Sequence, residues 1–239
     1  MKSEVVRLFQ TLPHACGYYG GRTAQNLVID PSSSHLARIY DVALAKGYRR
    51  AGGHVYRPHC QRCRACIAAR IPVADFVPER AQRRCLKRNA DLVMNVEPAA
   101  YRAEYFELYQ RYLGARHAGG GMDDPEPEDF SRFLFTEWSP TRFIELRLGS
   151  RLLAVAVTDI AASGLSAVYT FYDPQHAARS LGTYAILRQI ELARELALPH
   201  VYLGFWIEGH PKMDYKVRFR PLELLGAAGW QRHSDAPVS

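Results

Sequence analysis

Between Arg142 and Phe205 the chain sets out three apolar runs joined by short turns, then a helix-length segment, then one more apolar run. Few folds accommodate that succession. The runs are Phe143 to Leu148, Leu152 to Ile160 and Ala167 to Tyr172, and Gly149-Ser150 and Ser163-Gly164 supply the turns. Strands joined so closely pair antiparallel, because a parallel return needs a crossover of a dozen or more residues. The segment from about Leu181 to Ala197 has the length of such a crossover helix, and His200 to Phe205 reads as a strand again. A helix between two strands lets the last strand return parallel to an earlier one. The expectation is an α+β chain whose C-terminal part is a mixed sheet with flanking helices.

The N-terminal third has a different character. Cys60, Cys63 and Cys66 stand two residues apart, and the total of five cysteines is odd, which is unlike a secreted disulfide framework. A turn can bring three such thiolates onto one ion, with Cys16 as a fourth ligand and His14, His54 or His59 as alternates. Zinc would staple the segment, and an iron–sulfur cluster would make activity sensitive to oxygen; reduced, partly buried thiols without metal are the other reading. From Lys46 to Arg88 there are twelve basic residues against two acids, Asp75 and Glu79, in a chain of net charge +7. That concentration favours a polyanionic partner. Pro78 stands at a helix start, and Glu79 to Asn89 reads as a basic helix bearing Arg83, Arg84, Lys87 and Arg88. A second helix from about Pro98 places Tyr101, Tyr105, Leu108, Tyr109 and Tyr112 on one face, which suits core better than a stacking platform. Gly119-Gly120-Gly121 and the acidic stretch from Asp123 to Asp129 interrupt the pattern before a short helix ending near Trp138, and the tail after Gln231 reads as loose.

The expected division is a Cys-containing basic region over 1–97 and a transfer domain over 98–239, closely packed or forming one unit. With 48% hydrophobic residues the chain can bury a real core. No run approaches the ~18 apolar residues of a membrane span. Met1-Lys2-Ser3-Glu4 lacks the basic-then-apolar layout of a secretory signal, so a cytoplasmic location is expected.

Two stretches carry chemistry. Tyr169-Thr170-Phe171-Tyr172-Asp173-Pro174, followed by Arg179-Ser180-Leu181-Gly182-Thr183-Tyr184, joins a strand end to a helix start, where exposed amides can hold an anion or polarise a carbonyl. The layout is similar to the N-acetyltransferase (GNAT) fold, in which an Arg/Gln-x-x-Gly-x-Gly/Ala loop cradles the pyrophosphate of acetyl-CoA. Here Tyr184 occupies the last small position and would crowd that approach, which argues against an acetyl-CoA enzyme. A plain strand-to-helix turn with Gly182 serving sterics is the other reading. Downstream, Trp206, Lys212 and Lys216 suit a terminal nucleotide, the ring stacking on a base while lysine meets phosphate; a solvated basic loop is the alternative. A non-catalytic, metal-stapled nucleic-acid-binding module would account for the cysteines and bases but leave the strand-and-helix half unexplained.

Cys16-Gly17-Tyr18, Gly21-Arg22, Tyr48-Arg49-Arg50-Ala51-Gly52-Gly53-His54-Val55-Tyr56-Arg57-Pro58-His59-Cys60, Cys63, Cys66, Arg70-Ile71-Pro72-Val73, Gln82-Arg83-Arg84 and Lys87-Arg88-Asn89, with the two stretches above, resemble the arginyl-tRNA-protein transferase family in its bacterial leucyl-transferring branch. The resemblance runs from about Leu8 to Trp230. It implies transfer of leucine from leucyl-tRNA to proteins that begin with Asp or Glu, which a downstream protease adaptor system then recognises, and an acetyltransferase-like C-terminal half. Arginine as the donated residue is the alternative, since no spacing distinguishes the two. One departure is Tyr19, where eukaryotic arginyl relatives carry the last cysteine of a Cys-Gly-Tyr-Cys motif, so their metal chemistry does not carry over at that position.

An aminoacyl ester is already activated, so the chemistry requires neither ATP nor an organic cofactor, and positioning does most of the work. An α-amine of pKa about 8 is partly neutral at physiological pH, so a strong base is not mandatory. Tyr169, Asp173 and Tyr215 are the candidates for orienting the amine or relaying its proton. Reading an acidic first residue calls for a fixed guanidinium, and Arg70 is the candidate, with a surface or phosphate-binding role as its alternative. Arg83, Arg84, Lys87 and Arg88 would meet acceptor-stem phosphates, unless that helix face is merely solvated.

Overall fold

The computed structural model describes residues 5–116 and 125–233. The chain start, the Gly119-Gly120-Gly121 run, Asp123 and most of the tail after Gln231 lie outside the described residues. In chain order the strands are β1 (Leu8–Gln10), β2 (His14–Ala15), β3 (Thr23–Ala24), β4 (Asn26–Ile29), β5 (Arg49–Ala51), β6 (His54–Pro58), β7 (Ile67–Pro72), β8 (Val93–Pro98), β9 (Thr141–Leu148), β10 (Arg151–Ala161), β11 (Gly164–Tyr172), β12 (His200–Trp206), β13 (Glu223–Gly226) and β14 (Gly229–Arg232). The helices are α1 (Leu36–Ala45), α2 (Arg80–Arg88), α3 (Ala103–Arg116), α4 (Pro127–Leu134) and α5 (Leu181–Glu195), and two 3-10 turns cover Pro174–Arg179 and Asp214–Arg218.

The expected meander forms. β9, β10 and β11 pair antiparallel in sequence, and β12 returns after α5 to pair parallel with β11. They lie in an eight-stranded sheet of order β14-β13-β7-β12-β11-β10-β9-β8. β10 is the middle of a three-layer sandwich and is buried nearly end to end, as a strand covered on both faces must be. Ala154 and Ala156 face α5, with Leu181, Ala185 and Ile190 beyond them. Val155 and Val157 face α3 and α4, where Tyr105, Tyr109, Phe130 and Phe143 interlock edge to face. The tyrosine stripe is therefore core at Tyr105, Leu108 and Tyr109. Its helix begins at Ala103 rather than Pro98, because Val93–Pro98 pairs with β9 as an edge strand instead.

The sheet also takes strands from the N-terminal third. β7 lies between β12 and β13, and β8 closes the far edge, so a division at 97/98 would fall inside β8 and cut one sheet in two. Where the sequence read as irregular, β1, β4, β6 and β5 form a second antiparallel sheet beside α1. The two sheets meet at Arg50, whose Nε and Nη2 each bind an Asp159 carboxylate oxygen at 2.8 Å, with both side chains 0% exposed.

Candidate active site

β11 and β12 pair only at Leu165↔Val201 and Ser166↔Tyr202, although β11 runs on to Tyr172 and β12 to Trp206. Beyond that point the strands part and open a wedge. Each strand is irregular where they separate. Opposite β10, Tyr169 faces Val157 and Ala167 faces Thr158, which leaves Val168 as a bulge; opposite β7 the register slips between Tyr202 and Gly204. Bulges turn backbone groups out of the ladder, and Arg49 on β5 takes one of them, donating from Nη2 to the Val168 carbonyl. Gly204 makes room for it. Its φ is +74°, and a Cβ there would stand 2.9 Å from Arg49 Nη1.

The charge of this guanidinium acts on three phenols, Tyr18, Tyr169 and Tyr215. Tyr169 packs against Phe133 at 5.3 Å and against Tyr109 and Tyr112 at 6.2 Å, and Tyr112 meets Tyr172 at 5.0 Å. The Tyr172 hydroxyl accepts from Arg116 Nη2 at 2.7 Å. Burial raises the Tyr169 and Tyr215 hydroxyls and pushes Tyr18 and Tyr112 up to about 12, so all four are protonated donors at physiological pH. Tyr215 remains 41% exposed, whereas the adjacent Lys216 is buried. Lys216 Nζ donates to the Phe205 carbonyl and lies 3.0 Å from Met213 Sδ. Burial, then the charge of Arg49, pushes its ammonium down to about 7.

Of the residues expected to act here, Tyr169, Tyr215 and Lys216 come together around Arg49. Others are committed elsewhere. Asp173 is buried as the cap of the Pro174–Arg179 turn, accepting from the Gln175 backbone N–H at 3.0 Å and Arg151 Nη2 at 2.8 Å. Burial opposes its ionisation, but those bonds prevail and hold the carboxyl below its ordinary range. It positions the loop, with each carboxylate oxygen engaged by one of these donors. Trp206 is buried and donates from Nε1 to Asp214 at 3.2 Å, so it offers no stacking face. Arg70 is bonded to Glu223 at 2.7 Å and lies over the Trp230 ring at 4.3 Å, already neutralised. Lys212 is exposed on the loop after β12. Tyr184 turns into the core at 3% exposure, so its ring does not crowd the loop as expected from its place in the motif.

α2 carries the expected cations outward. Arg83, Arg84, Lys87 and Arg88 are exposed together with Arg80, while Gln82 and Cys85 face inward and Glu79 with Gln82 closes a capping box. The helix is tied to the loop that follows β11: Arg88 Nη1 donates to the Ala178 carbonyl, and Asn89 Nδ2 to the Arg179 carbonyl at 2.9 Å.

Residues 14–84 match the family model described as arginine-tRNA-protein transferase, N terminus, and residues 104–226 match its C-terminal counterpart. The chain belongs to the arginine-tRNA-protein transferase family. An aspartate/glutamate leucyltransferase of Stenotrophomonas maltophilia is 57% identical over 96% of this chain and 94% of its own length. One of Chromohalobacter salexigens is 50% identical over 95% and 93%. Among solved structures, the C-terminal domain of an Agrobacterium fabrum protein assigned as a lysylphosphatidylglycerol synthetase superposes with a TM-score of 0.51 at 15% identity. That match covers 70% of this chain and 61% of the other, and it is a likeness of fold. The mixed sheet and its flanking helices are thus a fold shared with that domain.

In this transferase the sulfurs also gather. Cys16, Cys60, Cys63 and Cys66 line one cavity of about 140 Å³ with Tyr18, Tyr19, Arg22, Tyr56 and Phe205. Their chemistry suits zinc, but among the described residues no three His, Cys, Asp or Glu side chains are arranged to hold a metal ion. Two of the thiols have other partners, Cys63 Sγ accepting from Arg22 at 3.8 Å and Cys60 Sγ donating to the Gln25 carbonyl at 3.7 Å. Burial, reinforced by the other three sulfurs, pushes the Cys66 thiol up to about 11, which disfavours a bare thiolate. Tyr19, at the departure from the Cys-Gly-Tyr-Cys pattern, packs edge-on to His210 at 5.6 Å and beneath Arg22 at 4.3 Å. Sequence reasoning missed Arg49: it lies in the motif that carried the resemblance, but nothing local sets it apart from Arg50.

Proposed function

We propose that this chain moves leucine from leucyl-tRNA to the N-terminal amine of proteins beginning with Asp or Glu, in the cytoplasm, and so marks them for a protease adaptor system. The observation that carries the reading is the continuity of two features. The exposed cations of α2 are anchored to the loop at the end of β11, and the wedge with its phenols opens along that same strand. An acceptor stem held through its phosphates on α2 would deliver its 3′ end toward Tyr169 and Tyr172.

The reaction is aminolysis of an ester. The neutral α-amine attacks the leucyl carbonyl, a C–N bond forms, the C–O bond to the terminal ribose breaks, and the proton lost by nitrogen leaves on the ribose oxygen. Tyr169 and Tyr215, as protonated phenols, are suited to donate to the tetrahedral oxyanion or to pass that proton. Because the ester is already activated, the scheme needs no metal or organic cofactor.

The test is transfer of radiolabelled leucine or arginine from charged tRNA to peptides beginning with Asp, Glu or Ala. Leucine incorporation confined to the Asp and Glu peptides is expected. Arginine incorporation instead would reassign the donor, and no incorporation from either tRNA would overturn the reading.

A further inference from the structure

We infer that Arg49 is the specificity-determining residue that binds the side-chain carboxylate of the acceptor's first residue, in the notch where β11 and β12 separate. The inference rests on the transfer reaction proposed above and locates its acidic-residue subsite, which sequence reasoning had placed at Arg70.

The first argument is charge balance. Arg70, Arg50, Arg147 and Arg179 each bind a carboxylate of this chain, namely Glu223, Asp159, Glu145 and Asp91. Among the described residues Arg49 makes no ion pair; its recorded hydrogen bond goes to the neutral Val168 carbonyl. A guanidinium has five N–H donors, so most of its donor capacity is left for a ligand. The groups on which its charge acts are Tyr18, Tyr169, Tyr215 and Lys216, and the charged or titratable neighbours acting on these four are further phenols, thiols and Arg49, with no Asp or Glu among them. The notch is therefore a half-buried cationic site ringed by hydroxyl donors and lacking an acid of its own. A ligand carboxylate would complete it, and the bidentate fit of carboxylate to guanidinium gives the choice of Asp or Glu over Asn or Gln a physical basis.

The second argument is construction. The backbone gives way on both sides of Arg49, through the Val168 bulge and through Gly204, whose missing Cβ leaves the space the guanidinium occupies. Arg50, next along β5, is locked to Asp159, so the strand that presents Arg49 is fixed to the sheet. Local irregularity in two strands that serves to seat one unpaired cation is the preorganisation a recognition residue needs. The position also suits the chemistry: the charge of Arg49 acts on both Tyr169 and Tyr215, and Tyr169 lies on β11 beyond the point where it parts from β12, so a first residue held by its side chain would keep its amine beside these phenols.

The experiment compares kcat/KM for peptides differing only in Glu or Gln at the first position, using the full-length wild type, Arg49→Gln and Arg49→Lys. Leucyl-tRNA affinity and melting temperature are measured alongside. Losing one charge-assisted pair is expected to lower the Glu-peptide value about 10- to 100-fold while changing the Gln-peptide value little, so that the Glu/Gln ratio in Arg49→Gln collapses toward one. Arg49→Lys, which keeps the charge and loses the fork, should retain an intermediate ratio with leucyl-tRNA affinity intact. A ratio that survives in both variants overturns the inference, as does a loss shared equally by both peptides. Should the wild type transfer nothing, the reaction assignment fails by itself. Direct binding of the two peptides then decides the subsite: preference for Glu abolished in Arg49→Gln supports it, and preference unchanged refutes it.

Discussion

Replacing Arg50 by Met should destabilise this chain by about 4 kcal/mol, in the range observed when one partner of a buried ion pair is removed. The figure follows from what the guanidinium satisfies. It meets both Asp159 oxygens at 2.8 Å, and its other N–H groups reach the Gly52 carbonyl at 3.1 Å, the Leu134 carbonyl at 3.0 Å and Thr141 Oγ1 at 3.1 Å. Without it Asp159 keeps donors from Tyr40 at 2.7 Å and Thr141 at 2.7 Å, but a carboxylate with 0% exposure has lost its only described cation. For a domain of this size each kcal/mol lowers the melting temperature by roughly 2–4 °C, so a fall of roughly 8–16 °C is expected. Urea unfolding followed by both fluorescence and circular dichroism gives the free energy and checks that the transition is two-state. The control is Arg50→Met with Asp159→Asn, which removes the stranded charge and should be less destabilised than the sum of the two single variants. A single-variant loss below about 1 kcal/mol, or strict additivity in the double, would refute the claim that this pair joins the two sheets.

Three further outcomes follow from the same geometry. Glu145 is held down at about 2, first by Arg147 and then against burial by Tyr105 and Asn95; its stabilisation, on the order of 3 kcal/mol, is present above the unfolded value near 4.5 and lost as pH falls toward 2, so Glu145→Gln should be less stable at neutral pH and flatter across that acid window in pH-dependent melts. Changing Arg80, Arg83, Arg84 and Lys87 to Ala should leave melting nearly unmoved, since all four are exposed, while reducing the slope of log affinity for leucyl-tRNA against log salt by about 3; an unchanged slope in filter binding would remove α2 from the tRNA interface. Dialysis against a chelator under reducing conditions should leave leucine transfer unchanged, and activity lost and then restored by zinc would place a metal at the four thiols.

The C-terminal half could be read in advance because its signals are long. Apolar runs such as Leu152–Ile160, bounded by Gly149 and Gly164, leave little choice but a meander, and Leu181–Glu195 is too long for anything but the crossover helix. The N-terminal sheet escaped notice because its strands are three to five residues long and mostly exposed or half-exposed, so no alternation develops. The four cysteines that the spacing grouped as metal ligands do line one cavity, three of them being local to one turn. Side-chain commitments were the least legible part. Nothing near Arg70 reveals a glutamate 153 residues away, and nothing near Asp173 announces that Arg151 and the Gln175 N–H will engage both its oxygens.

Arg49 and Arg50 show why that limit is physical. The two residues are identical in type, adjacent, and two of the three residues of one short strand, so every local measure of charge, propensity or hydropathy treats them alike. Alternation sends them to opposite faces. On one face lies Asp159, together with Thr141 and the Leu134 carbonyl, all more than eighty residues on, and the guanidinium is sealed. On the other face two strands bulge apart and offer one carbonyl, and the guanidinium is left without a carboxylate. An arginine's availability is thus a property of what the fold brings opposite it. The sealed member serves the open one: an unpaired cation held by a loop could swing to solvent or to a stray acid, whereas one presented by a strand that its neighbour has pinned to the main sheet keeps its donors aimed into the notch. The stability penalty expected for Arg50→Met and the loss of acidic selectivity expected for Arg49→Gln are consequences of one construction, and Arg50→Met should erode that selectivity as well, by loosening β5.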